Sequence, residues 1–221
     1  MWDFLQTYGP RLFDGALVTS AQFVLAALVA CTAALAAGLG RLSAFWPVRS
    51  LATVYIEIFR GTSLLVQLYW IFFVLPLFGV SLPKFEAGFL SVGLNVGAYG
   101  AEIVRGAIQA VPKGQWEAAY SIGMNWPQVM WRVILPQAAR IAVPPLSNTF
   151  ISLVKDTSLA AAVTVPELFQ AAQRLASVTY EPLILYIETA IIYLLFSSVL
   201  STLQDRLEHR LTHKETRELA L

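Results

Sequence analysis

The chain has 221 residues, 57% of them hydrophobic and 13% charged, with a net charge of +1 and a mean hydropathy of +0.63. That charged fraction is about half that of an ordinary soluble domain, which makes this a polytopic membrane protein, and the near-zero charge points away from nucleic acid. A single cysteine, Cys31, excludes an intrachain disulfide, and the two histidines, His209 and His213, both in the tail, argue against a metal or haem site.

The first residues, Met1 to Asp14, are mildly amphipathic and are placed at the outer surface; they lack the basic start of a cleavable signal peptide. Residues 15–39 carry no charge. About 20 apolar residues cross the hydrocarbon, so this is the first span. Its Ala30, Ala34 and Gly38 form a ridge of small residues for close helix packing. Cys31 lies in the same run and is expected to be a packed, inert thiol.

Pro47 opens an amphipathic helix with Val48, Leu51, Ala52, Tyr55 and Phe59 on one stripe. Arg49, Glu57 and Arg60 lie mostly off it, as suits a helix on the cytoplasmic face leading into a span. Residues 61–82 are uncharged and form the second span, with Pro76 near its outer end. Pro83, Lys84 and Glu86 make a short outer turn. Residues 87–111 are the third span, where Gly93, Gly97 and Ala101 give a second small-residue face. Glu102 and Arg105 have the i,i+3 spacing of a structural ion pair.

Residues 137–154 are the fourth span, and Pro144 and Pro145 are expected to interrupt it. Residues 160–177 are too polar to span and suit an outer re-entrant or surface helix starting near Pro166 and Glu167. Residues 183–203 are the fifth span, with Glu188 as its one charge, at a subunit contact or a cavity. Residues 205–221 form a mixed-charge tail. Arg41, Arg49, Arg60, Arg105, Lys113, Arg132, Arg140 and the tail's basic residues fall on one side; Arg11, Lys84, Lys155 and Arg174 fall on the other. That asymmetry places the N-terminus outside and the C-terminus inside. The chain is expected to be one all-α transmembrane domain over residues 1–221.

Ionisable groups at membrane depth are costly and face protein or a water-filled cavity. Lys155 and Asp156 follow the proline-broken span, with Thr157 next. The pair suits the carboxylate and the ammonium of a zwitterionic amino acid. Pairing with each other or with lipid headgroups is the alternative. Asn95 and Tyr99, four residues apart on the third span, add polar contacts to a path or hydrogen bonds between helices. Gln67 reads as interhelical glue. There is no Gly-x-x-x-x-Gly-Lys-Ser/Thr phosphate loop and no nucleophilic triad or zinc motif, so any ATP hydrolysis belongs to another chain. Five spans are few for enclosing an aqueous path, so two copies or two homologous subunits should pair.

Between the third and fourth spans runs GQWEAAYSIGMNWPQVMWRVILPQ, residues 114–137. Gln115 to Ile122 can form two helical turns, with Glu117 in the first, where the helix dipole favours an anion. Gly123 suits a left-handed stop. Asn125 and Pro127 read as the cap and first-turn proline of a second short helix, and Pro136 as its end. Trp116, Ala119 and Tyr120 share a face, as do Met130, Val133 and Ile134. Periodicity alone leaves two readings open, a docking knob and an interfacial helix on lipid.

The order of residues favours the knob. Glu117-Ala118-Ala119, then Gly123, then Leu135-Pro136, resembles the Glu-Ala-Ala loop of ABC importer permeases. In that family the loop is the coupling helix seated in a cleft of a cytoplasmic ATPase, which assigns Gln115, Glu117, Ala118, Ala119 and Gly123 to coupling. Residues 55–68 resemble the start of the second span in the polar amino acid branch, with Ser63 where that branch usually has proline. AYGAEIVRGAI, VPKGQWEAAYSIGM, LPQAARIAVPPLSNTFISLVKDTSLAA and VPELF are similar to the same histidine/glutamine/cystine branch, and SNTFISLVKDTSLAA with VPELFQAAQ and STLQ to bacterial L-cystine permeases.

The resemblance covers most of residues 15–205 and implies the type I ABC importer permease fold, with five transmembrane helices and a cytoplasmic coupling loop over residues 112–136. It implies a second permease subunit, identical or homologous, in a bacterial inner membrane. It also implies a cytoplasmic ATPase dimer that holds ATP and magnesium, and an extracytoplasmic solute-binding protein. By the same resemblance Asn95, Lys155, Asp156 and Thr157 line the substrate path, and this chain carries no cofactor. An ion-coupled secondary transporter would need more spans or internal repeats, and none is present in the sequence. A non-transporting subunit that recruits a cytoplasmic partner would tolerate neutral residues at Lys155 and Asp156.

Overall fold

The computed structural model describes the backbone of residues 2–218 and the side chains of residues 8–206. The described residues are helical with no strand. Helix α1 runs Trp2–Arg41 in one piece, so the expected surface segment is part of the helix. Pro10 lies inside it. Packing outweighs that missing donor: Leu12 and Ala16 are buried against Leu168, Ala172, Leu175 and Leu185.

Helix α4, Lys84–Ala110, lies along α1. The two small-residue ridges seen in the sequence meet there. A β-carbon at Gly97 would sit 2.7 Å from the Ala33 side chain, and one at Gly93 2.8 Å from the Ala26 carbonyl. One at Gly38 would sit 2.9 Å from the Ala101 carbonyl. Backbones this close gain dispersion contacts that bulkier residues would prevent.

Helix α2, Trp46–Gly61, holds the expected Pro47 in its first turn. The expected second span, residues 61–82, is not one straight helix. The chain turns by 109° between α2 and the next helical segment. Thr62 and Ser63 are extended there. Helix α3 covers Leu64–Tyr69, followed by a π turn at Trp70–Val74 and a 3-10 turn at Leu75–Phe78 that ends on left-handed Gly79. Ser63 is the extended residue before α3, a conformation proline shares, so its departure from the family's proline is geometrically mild.

Helix α5, Lys113–Ser121, and the single turn α6, Trp126–Val129, form the stretch between the membrane helices. A π turn at Met130–Ile134 joins α6 to α7, Leu135–Asp156. Pro136 therefore lies in the first turn of α7 and does not end a helix. Pro144 and Pro145 are inside α7 and leave it helical. Both are exposed, so the lost backbone bonds fall on the helix's outer face.

A 3-10 segment, Thr157–Val163, leads to α8, Leu168–Thr179, capped by Glu167 as the sequence placed it. Helix α9 covers Pro182–Glu218 and takes in most of the expected tail. The side chains of His209 and His213, and residues 219–221, lie outside the described residues. Among the described residues, α1, α4 and α9 are long and apolar enough to cross a membrane, and α2 with the segment after it counts as a fourth, bent span. Cys31 is exposed on this chain rather than packed.

Candidate coupling knob and substrate-path residues

The stretch between α4 and α7 is a rigid knob. Gly123 has φ +82°, the left-handed stop that the sequence requires. The Gly123 N–H donates to the Tyr120 carbonyl and the Met124 N–H to the Ala119 carbonyl. Asn125 caps α6 by accepting from the Gln128 N–H, while the Gln128 side chain accepts from the Asn125 N–H, a complete capping box. Ala119, Met130 and Ile134 are buried with Val104, Ile108 and Val129, and Trp116 and Val133 pack against them. Of the two apolar faces read from the sequence, Trp116, Ala119, Met130, Val133 and Ile134 turn inward to this cluster, while Tyr120 is exposed.

What remains outside is mixed: Ile122, Trp126 and Trp131 are exposed beside polar residues. Gln115, Glu117, Ala118, Tyr120, Ile122 and Gly123 are exposed. Gln115 accepts a hydrogen bond from the Gln137 amide at 3.3 Å, tying the start of α5 to the start of α7. The knob, α4 and α7 thus share one packed cluster.

The predicted path residues fall into two groups. Asn95 is buried and donates to the Phe59 carbonyl and to Gln67 Oε1, both at 3.0 Å. The Gln67 amide nitrogen donates in turn to the Phe59 carbonyl at 2.8 Å, the Thr62 carbonyl at 3.2 Å and the Thr62 hydroxyl at 2.7 Å. These two amides satisfy the carbonyls that α2 leaves open at its bent end. Tyr99 points elsewhere: its ring lies 5.4 Å from the Arg60 guanidinium, in a cation–π contact.

Lys155, Asp156 and Thr157 sit where α7 passes into the 3-10 segment. Lys155 is exposed and Asp156 half-buried, and no hydrogen bond or ion pair joins them. Thr157 is buried and donates to the Val154 carbonyl at 2.7 Å. No hydrogen bond links this group to Asn95 or Tyr99.

Next to Thr157 is a polar cluster that sequence reasoning passed over. Glu167 is fully buried. Its Oε1 accepts from the Gln170 N–H at 2.6 Å, and its Oε2 from the Phe169 N–H at 2.9 Å and the Tyr193 hydroxyl at 2.7 Å. Burial pushes the Glu167 carboxyl up from the ordinary carboxylate range, and these donors pull it back. The Leu168 N–H donates to Thr19 Oγ1 of α1 at 3.1 Å. Gln22, also fully buried, has neither amide atom hydrogen-bonded, and Glu188 has neither carboxylate oxygen partnered among the described residues. Glu188 faces a largely apolar cavity of about 450 Å³ between α1 and α9. The signal for Thr19, Gln22, Glu167 and Tyr193 was their polarity within otherwise apolar or capping positions.

At the knob end of the bundle, Glu102 pairs with Arg105 at 2.7 Å, as its spacing predicts, and also with Arg41 of α1. Glu57 of α2 lies 3.7 Å from Arg41. Among the described residues no group of histidine, cysteine or carboxylate side chains is arranged to hold a metal.

Long apolar helices packed through small residues, a knob rooted in α4 and α7 and polar groups buried between the helices are the features of a helical membrane permease. Residues 22–213 match the family of binding-protein-dependent transport system inner membrane components, and the chain belongs to that family. It is a permease subunit of the ABC importer type, and ATP hydrolysis belongs to a separate chain. It is similar to the L-cystine transport system permease of Bacillus subtilis, 46% identical over 212 residues that cover 95% of this chain and 91% of that one. It is 35% identical to the glutamine transport system permease of Escherichia coli K12 over 95% of this chain and 97% of that one. An amino acid ABC transporter crystallised with histidines superposes with a TM-score of 0.88 and 37% identity, over 93% of this chain and 96% of that chain. The inward-facing methionine transporter MetNI shares the fold, with a TM-score of 0.77 and 20% identity over 91% of this chain and 96% of that chain.

Proposed function

We propose that the chain carries a polar amino acid, L-cystine first, inward across a bacterial inner membrane, driven by ATP hydrolysis in a partner ATPase dimer that binds magnesium. The carrying observation is the knob: Glu117, Ala118 and Tyr120 are exposed on a helix whose root, Ala119, is buried with Val104 of α4 and Ala138 of α7. ATPase closure moves α5, and α4 and α7 follow it. The 46% identity to a cystine permease supports the substrate. Basic residues concentrated at the knob end support a cytoplasmic knob, an outer N-terminus and an inner C-terminus.

In this reading α7 is the fourth of five crossings, and a second permease, identical or homologous, closes the path. A loaded solute-binding protein docks outside. Asp156, half-buried with no hydrogen-bonded partner among the described residues, receives the ammonium of the amino acid and Lys155 its carboxylate. Thr157 sets the turn that aims them. Asn95 and Tyr99 shape the wall nearer the α2 bend.

The test is labelled L-cystine uptake and ATP hydrolysis in proteoliposomes holding this chain, its ATPase and its binding protein, with Asp156→Asn beside the wild type. ATP-dependent uptake lost in the variant supports importer and site together. Uptake that survives the substitution discards the site. ATPase stimulation only by the binding protein loaded with another amino acid replaces the substrate.

A further inference from the structure

We propose that a groove at the knob end, between the end of α1 and the first half of α2, binds the phosphate headgroup of an anionic phospholipid. The groove has a volume of about 360 Å³ and is lined by Arg41, Trp46, Arg49, Thr53, Arg105 and Gln109 among others, with no carboxylate in its lining. Two of the three guanidiniums are fixed from behind. Glu102 holds both Arg41 and Arg105, and Arg105 Nη1 also donates to Gln109 Oε1 at 2.8 Å. Arg49 is exposed and makes no ion pair among the described residues. Three cations stand against Glu102 and Glu57, so one positive charge is uncompensated, and it sits on Arg49.

The start of α2 adds to this. No side chain caps it and its first turn holds no acidic residue, so the positive end of its helix dipole is left uncompensated and favours an anion nearby. Guanidinium forks match phosphate oxygens in pairs.

The apolar surroundings select a lipid over a free anion. Trp46 is 68% exposed, Leu51 72% and Val54 52%, and Val54 itself lines the groove. Leu51, Val54 and Ile58 follow one face of α2 away from the cations. Headgroup in the groove and acyl chain along that face use both features, and the exposed Trp46 indole suits an interfacial position beside them. Free phosphate would use the arginines and leave the stripe bare.

The test is native mass spectrometry of the purified full chain in detergent, with added phosphatidylglycerol or phosphatidylcholine. The wild type should retain phosphatidylglycerol in preference to phosphatidylcholine. Arg49→Glu should lower that preference by about fivefold or more, and Arg49→Lys should keep most of it. Arg49 has no partner to lose, so an unchanged melting temperature in both variants is expected. Equal retention of the two lipids by the wild type, or equal preference in wild type and Arg49→Glu, overturns the proposal. Displacement of the lipid by millimolar orthophosphate also overturns it and assigns the groove to the free anion.

Discussion

The Tyr193 hydroxyl donates to Glu167 Oε2 across 2.7 Å, joining the middle of α9 to the cap of α8. Through the Leu168 N–H and Thr19 the same junction reaches α1. Three helices distant in sequence thus converge on one buried carboxylate, directly after the Lys155–Thr157 turn. Tyr193→Phe removes a donor while keeping the ring. The expected loss is about 1–2 kcal/mol, the cost of leaving a buried acceptor short of one bond. Thermal unfolding in detergent measures it. A melting temperature equal to that of wild type would mean that the tyrosine contributes packing alone.

The α1–α4 contact allows a sharper test because the chain has internal controls. Gly97→Leu must displace Ala33, whose side chain lies 2.7 Å from the first added carbon. Small-to-large changes in packed interiors cost about 1–3 kcal/mol, and here backbone lies behind the clash. Gly106, on the same helix, has nothing within 4 Å. Gly106→Ala should therefore hold or raise stability, by up to about 1 kcal/mol of helix propensity. The pair of melting temperatures should move in opposite directions. A tolerated Gly97→Leu would show that the two helices do not meet along this ridge.

Most of the framework is legible in the sequence because its signals are local. A charge-free run marks α1 and a run with Glu188 as its one charge marks α9; the left-handed stop at Gly123 and the cap at Asn125 need only their neighbours. The small ridges of α1 and α4 were readable as ridges, though not as partners. What escaped the sequence depends on long-range packing. Pro136, Pro144 and Pro145 read as breaks, yet the chain stays helical through each one. The 109° turn after α2 lies in an uncharged run, and Gln67 and Asn95, 28 residues apart, tie it in place. Glu167 was legible as a helix start and not as a hub, because its partners Thr19 and Tyr193 come from opposite ends of the chain.

That tie makes Asn95 a residue with a measurable structural share. Asn95→Leu leaves the Phe59 carbonyl and Gln67 Oε1 each one donor short. Gln67→Leu strips three bonds from the bend. Each single change should cost about 1–3 kcal/mol. The double variant should cost less than their sum, since one bond is shared, with a coupling of at least about 0.5 kcal/mol. Strict additivity in chemical or thermal unfolding would place the two amides in separate networks.

The knob gives the prediction that bears most directly on mechanism. Gly123 has φ +82° and open space around its α-carbon. Gly123→Ala meets no neighbour, so its only cost is the left-handed backbone, about 1–2 kcal/mol. Gly123→Trp adds bulk that points away from this chain and toward whatever the knob enters. The chain itself should fold, because the buried root at Ala119, Met130 and Ile134 is untouched. ATPase stimulation and uptake should fall steeply with Trp and only slightly with Ala. Gly114→Ala, also with nothing within 4 Å and without the left-handed constraint, serves as the silent control. Wild-type uptake and ATPase stimulation in Gly123→Trp would mean that the ATPase does not close around this turn, and the coupling role of α5 would have to be abandoned.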